Sequence, residues 1–425
     1  MLKFVHAADI HLDSPLLRLG HYDDAPVELL RTATRRALVN LVQFTLEERA
    51  DFVLIAGDLY DGDWDDVRTG LFLVKQLSRL GEAGIPVILI AGNHDAANRM
   101  TRHVRLPNHV RMLDHHQSET VILDRLGVAI HGQSFARQAV TENLARSYPD
   151  RVPGHFNIGL LHTALEGRDG HDRYAPCSLD DLRGRGYEYW ALGHVHQREV
   201  LNESPHVAFC GNLQGRNIRE TGPKGALLVT VEDERIVSEF QELDVVRWER
   251  LVLEARRVRS PDELLGHAEQ QLTDLHLAAA GRPVAVRVEI TGGCDYHTLL
   301  LGAIDHWEAD LRAIAADVGC GELWIEKVTP HTRPLEDGVG SELDEGPLAE
   351  VESLVTEYLD EQADLKILAG TLEDLREKLP VELTQGPDAL RLDDPNWLRE
   401  ILRGTAPFVR ERLQRDGTSN VEDSA

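Results

Sequence analysis

Cysteine, positive charge and long apolar runs are all scarce in this chain. Its four cysteines, Cys177, Cys210, Cys294 and Cys320, are scattered and include no Cys-x-x-Cys pair. That argues against a cysteine-based structural zinc site and leaves reduced thiols as the plain reading. No run approaches the ~18 apolar residues of a membrane span. The opening stretch Met1-Leu2-Lys3-Phe4-Val5-His6 lacks the long apolar core of a secretion signal. A soluble, cytoplasmic protein with no membrane partner is expected. The 45 Lys and Arg are outnumbered by 72 Asp and Glu, for a net charge of −27. A chain that acidic repels a nucleic-acid backbone at long range, which argues against non-specific DNA adhesion through bulk charge.

The chain does have apolar runs that end in histidine and aspartate. At 425 residues it exceeds a single typical core, so two or three domains are expected. Residues 1–245 alternate short apolar runs with helical stretches. Phe52 to Ala56, Val87 to Ala91, Asn157 to Leu161 and Tyr189 to Leu192 read as buried strands. Glu28 to Glu48 and Val67 to Glu82 read as helices, the second with Leu71, Val74, Leu77 and Leu80 at helical spacing. This is the α/β pattern of sheets flanked by helices.

From about Val246 the order becomes strand, helix, strand, helix, strand, a small β-α-β-α-β domain over residues 246–334. Ser260-Pro261-Asp262-Glu263 opens its first helix as a capping box, and Tyr296 to Val318 reads as its second. In residues 335–425, Leu335 to Leu365 carries eleven acidic residues and no Lys or Arg. Leu348, Val351, Leu354, Val355, Tyr358 and Leu359 recur there at helical spacing. More helix is expected around Leu372 to Leu379 and Trp397 to Leu413, before a polar tail from Asp416. This segment reads as an acidic linker with C-terminal helices.

Five blocks carry the chemistry, each at the carboxyl end of an apolar run, where α/β sheets gather ligands. They are Asp9-Ile10-His11, Gly57-Asp58-Leu59-Tyr60-Asp61, Gly92-Asn93-His94-Asp95, His162, and Gly193-His194-Val195-His196. Asp9 and His11, like His194 and His196, are two apart, so their side chains can point the same way. Carboxylate and amide oxygens mixed with imidazoles suit Mn²⁺, Fe²⁺ or Zn²⁺, and two such ions side by side serve to attack phosphate esters. His103, His109, His115 and His116 read as ordinary surface histidines.

In these five blocks the sequence resembles the calcineurin-like metallophosphoesterases. Asn212-Leu213-Gln214-Gly215-Arg216, Gly222-Pro223-Lys224-Gly225 and Tyr174-Ala175-Pro176-Cys177 are similar to motifs of a nuclease branch, the SbcD-like and YhaO-type DNA repair exonucleases. The resemblance implies a four-layer sandwich of mixed sheets and helices, with residues 246–334 as a capping domain. It implies one ion on Asp9, His11, Asp58 and His196, and a second on Asp58, Asn93, His162 and His194, most readily Mn²⁺. His94 would stabilise the transition state or protonate the leaving oxygen, and Asp95 would orient His94 by accepting its other ring proton. Asp61 would be an outer ligand or substrate contact. Tyr174 in the loop after His162, and Arg216 near the site, are further candidate substrate contacts; for Arg216 a structural salt bridge is the alternative. DNA would be the substrate, an SMC-like ABC ATPase the partner of the C-terminal helices, and a homodimer a further possibility. The alternative is a phosphodiesterase or phosphatase for nucleotides or phosphoproteins, which the acidic charge favours. A non-catalytic, metal-stabilised scaffold is disfavoured by His94 and Asp95, which metal binding alone does not need.

Overall fold

Apolar runs of four to seven residues, too short for helices and bounded by turn residues, set the architecture. The computed structural model describes residues 1–14, 26–61, 67–97, 105–165, 174–233, 235–335, 362–379, 389–399 and 401–402. The chain divides into two units, one ending at Trp248 and the other running from Glu249. In chain order the strands of the first unit are β1 (Leu2–Ala7), β2 (Phe52–Ala56), β3 (Val87–Ile90), β4 (Val110–Met112), β5 (Glu119–Leu123), β6 (Val128–Gly132), β7 (Phe156–His162), β8 (Tyr189–Gly193), β9 (Glu199–Glu203), β10 (His206–Phe209), β11 (Gly225–Glu232) and β12 (Arg235–Glu242). They form two six-stranded mixed sheets, ordered β12-β11-β1-β2-β3-β4 and β5-β6-β7-β8-β10-β9. β1 to β4 run parallel, as do β6, β7, β8 and β10.

The sheets face each other across one apolar core. Phe4, Phe52, Leu54 and Ile88 from the first meet Ile130, Ile158, Leu160 and Tyr189 from the second. Phe4 stacks on Phe52 at 4.9 Å and takes the edge of Tyr189 at 5.2 Å. Each such side chain stabilises the fold by roughly 1.5–3 kcal/mol relative to exposure. Helices α1 (Val27–Glu47) and α2 (Val67–Glu82) flank the strands. On α1 the buried stripe is Leu30, Ala33, Ala37, Leu38 and Leu41, the repeat an amphipathic helix needs. On α2 the buried face is Leu73, Leu77 and Leu80, while Leu71, expected on that stripe, is exposed. Short helices α3 (Asn93–Ala97) and α4 (Leu179–Arg183) follow β3 and precede β8.

The second unit has a three-stranded sheet ordered β13 (Arg247–Glu254), β14 (Val284–Gly293) and β15 (Leu323–Arg333), with β14 and β15 parallel. Helix α5 (Pro261–Ala278) opens on Ser260, whose hydroxyl accepts from Glu263 N–H. The capping box is incomplete, because the Glu263 carboxylate accepts from Arg259 N–H instead of Ser260. The second helix is two, α6 (His297–Gly302) and α7 (Ile304–Gly319), parted where Ala303 leaves helical geometry at φ −122°. Leu264, Leu272, Val286, Leu300, Leu311 and Ile325 fill this unit's core. Toward the C-terminus come α8 (Gln362–Thr371) and α9 (Glu373–Lys378). The expected stripe from Leu348 to Leu359, and Trp397 to Leu413 beyond residue 402, lie outside the described residues. All four cysteines are free, and no helix among the described residues is long and apolar enough to cross a membrane.

Candidate metal centre

The parallel strands deliver all five blocks to one edge of the sandwich. Asp9 and His11 follow β1, Asp58 and Asp61 follow β2, Asn93 to Asp95 follow β3, His162 ends β7, and His194 and His196 follow β8. β1 and β2 stay paired beyond their ends: Asp9 N–H donates to Gly57 O, His11 N–H to Asp58 O and Leu12 N–H to Leu59 O. The approach is tight enough to demand glycine. A Cβ on Gly57, whose φ is +94°, would lie 2.5 Å from His162 Nδ1, and one on Gly92 would lie 2.2 Å from Asp58 Oδ1. Asp9, His11, Asp58 and His194 themselves adopt positive φ, a strained conformation that clusters at functional sites.

Asp9, His11, Asp58, Asn93 and His162 are all buried. Three sets of donors converge: Asp9, His11 and His196; Asp58, His162 and His194; and His11, Asp58 and His94. The ring tautomers follow from their partners. His162 Nδ1–H donates to Ala56 O at 2.8 Å, which leaves the Nε2 lone pair facing Asn93 Oδ1 at 2.9 Å and Asp58 Oδ2 at 3.4 Å. His196 Nδ1–H donates to Glu220 Oε1 at 2.8 Å, which leaves Nε2 facing His11 Nε2 at 3.1 Å and Asp9 Oδ1 at 3.9 Å. Where acceptors face acceptors in a buried site, as His162 Nε2 faces the oxygens of Asn93 and Asp58, a positive charge is needed between them. A proton can supply part of it, and a divalent cation supplies it fully, so the donor set fits two such ions.

The charge balance shows the same demand. Burial lifts the Asp9 carboxyl to about 6 against the pull of His196 and His162. Burial also opposes the Asp58 carboxylate, but His162 beside it wins and holds its pKa at about 2. His162 is the mirror image: burial lowers it, and Asp58 raises it to about 9. His11 is driven well below its usual value by burial and then by Arg216.

A model of the calcineurin-like phosphoesterase family matches residues 2–198, and one described as the middle domain of metallophosphoesterase YhaO matches residues 248–333. The uncharacterized metallophosphoesterase YhaO of Bacillus subtilis is 37% identical over 295 residues, which span 68% of this chain and 72% of that protein. The chain belongs to the calcineurin-like metallophosphoesterases. This metallophosphoesterase is also 23% identical to the DNA double-strand break repair protein Mre11 of Methanopyrus kandleri, over 94% of this chain and 85% of that one. It is 23% identical to a subunit of the nuclease SbcCD of Staphylococcus epidermidis, over 61% and 76% of the two chains.

Around the metallophosphoesterase donors, two expected roles change. Asp95 does not meet the His94 ring. Its carboxylate accepts the backbone N–H groups of Leu59, Tyr60 and Gly92 at 3.0–3.1 Å, because it lies on the first turn of α3 and faces back toward the strand ends. Burial, then the Asp58 charge, raise it to about 7. The partner of His94 is Asp61, whose Oδ1 lies 2.8 Å from Nδ1. Burial disfavours the imidazolium, but the Asp61 bond and the Asp58 charge outweigh it and raise the His94 pKa. Arg216 takes up the salt-bridge alternative: its guanidinium spans Asp61 at 2.8 Å and Glu220 at 2.7 Å. Tyr174 packs edge-on to His194 with ring centroids 5.5 Å apart. Arg219 is exposed, and His103 and His171 lie outside the described residues.

Glu220 is the residue that the sequence pattern does not single out. It sits between the motifs Asn212 to Arg216 and Gly222 to Gly225, and that position is the one signal the sequence holds for it. Its carboxylate takes His196 Nδ1–H, Asn212 Nδ2 and Arg216 N–H. Burial opposes its charge, but Arg216 and His196 hold its pKa far below the usual carboxylate range.

Proposed function

We propose that this metallophosphoesterase hydrolyses DNA phosphodiester bonds in DNA repair, as an exonuclease with endonuclease cleavage open to the same site. The observation that carries the reading is the pairing of an acceptor-lined metal centre with His94, a histidine held from outside that centre by Asp61. The likeness to Mre11, a DNA double-strand break repair protein, and to a subunit of the nuclease SbcCD supports DNA as the substrate class. One ion would be held by Asp9, His11, Asp58 and His196, the other by Asp58, Asn93, His162 and His194. Mn²⁺ is the ion proposed, from the likeness to the nuclease branch; the mixture of oxygen and nitrogen donors suits Fe²⁺ or Zn²⁺ as well. When bound, such a pair supplies an activated water and neutralises phosphate oxygens.

The chain's own residues do the rest. Asp58, placed against both His11 and His162, bridges the two halves. Asp61 fixes the His94 ring through Nδ1, so that Nε2 can give a proton to the leaving oxygen. Asp95 braces the loops that carry Asp58 and Asn93. Residues 1–245 would form the nuclease domain and 246–334 a capping domain. Residues 335–425 would be a linker with helices that dock on an SMC-like ABC ATPase in the cytoplasm; a second copy of the chain is the other partner proposed.

The test is hydrolysis of end-labelled single- and double-stranded DNA with Mn²⁺, Mg²⁺ or EDTA, comparing wild type with His94→Ala. Mn²⁺-dependent cleavage should fall by on the order of 10²–10⁴-fold in the variant, with metal binding retained. Hydrolysis of bis-p-nitrophenyl phosphate without any DNA cleavage would shift the reading to the nucleotide or phosphoprotein substrates that the net charge of −27 favours.

A further inference from the structure

His94 and the metal-facing His196 are joined on their outer side by one continuous run of paired side chains. His94 Nδ1 lies 2.8 Å from Asp61 Oδ1, and Asp61 Oδ2 lies 2.8 Å from Arg216 Nη1. Arg216 Nη2 lies 2.7 Å from Glu220 Oε1, and the same oxygen lies 2.8 Å from His196 Nδ1. We propose that Arg216 and Glu220 are positioning residues that set His94 and His196 relative to each other, so that the proton donor and a metal-holding imidazole are aimed by one guanidinium. The inference rests on the metal-centre reading above and adds to it how that centre is kept in shape.

Three observations carry it. First, every arm of the fork is used: Nε and Nη2 of Arg216 face Glu220 while Nη1 faces Asp61. A planar guanidinium can hold two carboxylates at a fixed angle, and an ammonium cannot. Second, the group is largely buried, with side-chain exposures of 15% for Arg216, 8% for Glu220 and 17% for Asp61. A buried carboxylate–guanidinium–carboxylate triad contributes little net stability compared with apolar packing. What it provides is geometry. Third, the loop that carries it is itself anchored. Gln214 Nε2 donates to Val246 O while its Oε1 accepts from Val245 N–H. Trp248 Nε1 donates to Gly215 O, and Lys224 Nζ donates to His196 O.

The experiment uses the 425-residue chain, with Mn²⁺ alone as the titrant in calorimetry and bis-p-nitrophenyl phosphate as substrate. In Glu220→Ala one of two Mn²⁺ sites should weaken by about 10–100-fold, the usual cost of losing the partner of a ligating histidine. Glu220→Gln, which keeps an acceptor for His196, should restore most of that loss. Arg216→Met should lower kcat by on the order of 10–100-fold with KM little changed, and Arg216→Lys should not rescue it. If Glu220→Ala does not fold, Glu220→Asp carries the same test through its shorter reach. Folded Glu220→Ala and Arg216→Met proteins with wild-type Mn²⁺ affinity and kcat would overturn the proposal while leaving the metal centre standing. A wild-type chain that binds no Mn²⁺ would instead remove the metal-centre reading, and this one with it.

Discussion

His162 and His196 present the same atom to the centre but are held by different means. His162 is fixed by the carbonyl of Ala56 at the end of β2, across a gap that Gly57 and Gly193 permit. His196 is fixed by the carboxylate of Glu220, a side chain on a loop. The anchor of His162 is therefore written into sheet geometry and is inseparable from the fold. The anchor of His196 is written into side-chain chemistry and can be altered without touching a strand.

The largest effect should come from erasing the difference. Asp58 lies within 3.9 Å of His11 and 3.4 Å of His162, so Asp58→Asn should weaken both ions together. Activity on a small diester should fall by on the order of 10³-fold or more. One tight Mn²⁺ remaining in calorimetry would show that Asp58 serves one half only. Next is Gly57→Ala, which strikes the sheet-held half. The added Cβ meets His162 at 2.5 Å in a backbone with φ +94°. A loss of about 1–3 kcal/mol is expected in urea unfolding, together with loss of the His162-side ion. An unchanged midpoint would mean that this half is as adaptable as the other.

A third comparison separates the neighbours Asp61 and Asp95. Asp95→Ala strips three backbone N–H groups of their acceptor, at about 1–3 kcal/mol for each that stays dry, and should lower the melting temperature. Asp61→Asn should lower kcat on the small diester and leave the melting temperature near wild type. The reverse pattern would restore Asp95 as the partner of His94.

The smallest effect near neutrality involves His6, a buried histidine on the strand leading to Asp9. Its Nε2–H donates to Leu192 O and its Nδ1 accepts from Tyr189 OH. Burial pushes its pKa down to about 3. Between pH 6.5 and 3 the unfolded chain binds the proton that the folded chain refuses. Its contribution is thus complete above pH 6.5 and is lost as the pH falls toward 3, by an amount on the order of a few kcal/mol over the whole range. A His6 ring that titrates near 6.5 by NMR in the folded protein would refute this.

Much of this was legible in sequence because strands and ligands share one grammar. An apolar run such as Val87 to Ile90 announces a strand, and the polar residue after it announces the edge where ligands gather. The break at Ala303 was not legible, since apolar spacing continues on either side of it. The exposure of Leu71 was hidden for a related reason: α2 has apolar residues on more than one face, and packing decided which one is buried. Arg216 was legible as a candidate, with a salt bridge as one of its two readings, but its partners were not, and Glu220 escaped altogether, because their meaning is tertiary. Asp61 and Arg216 are 155 positions apart, and nothing near either one in sequence names the other. The passage of the His94-orienting role from Asp95 to Asp61 has the same origin. Both stand beside motif residues, and only the turn of α3 decides which carboxylate faces the ring.

The continued pairing of Asp9 with Gly57, His11 with Asp58 and Leu12 with Leu59 has a consequence for how this site can change. It works as a ruler. The distance between donors is set by this backbone pairing, not negotiated by flexible loops. A substitution among the donors changes which ion is preferred, but a single-residue insertion or deletion between Ala7 and Leu12, or between Ala56 and Tyr60, shifts every donor beyond it at once. Substitution within this stretch should therefore disturb the site less than gain or loss of length.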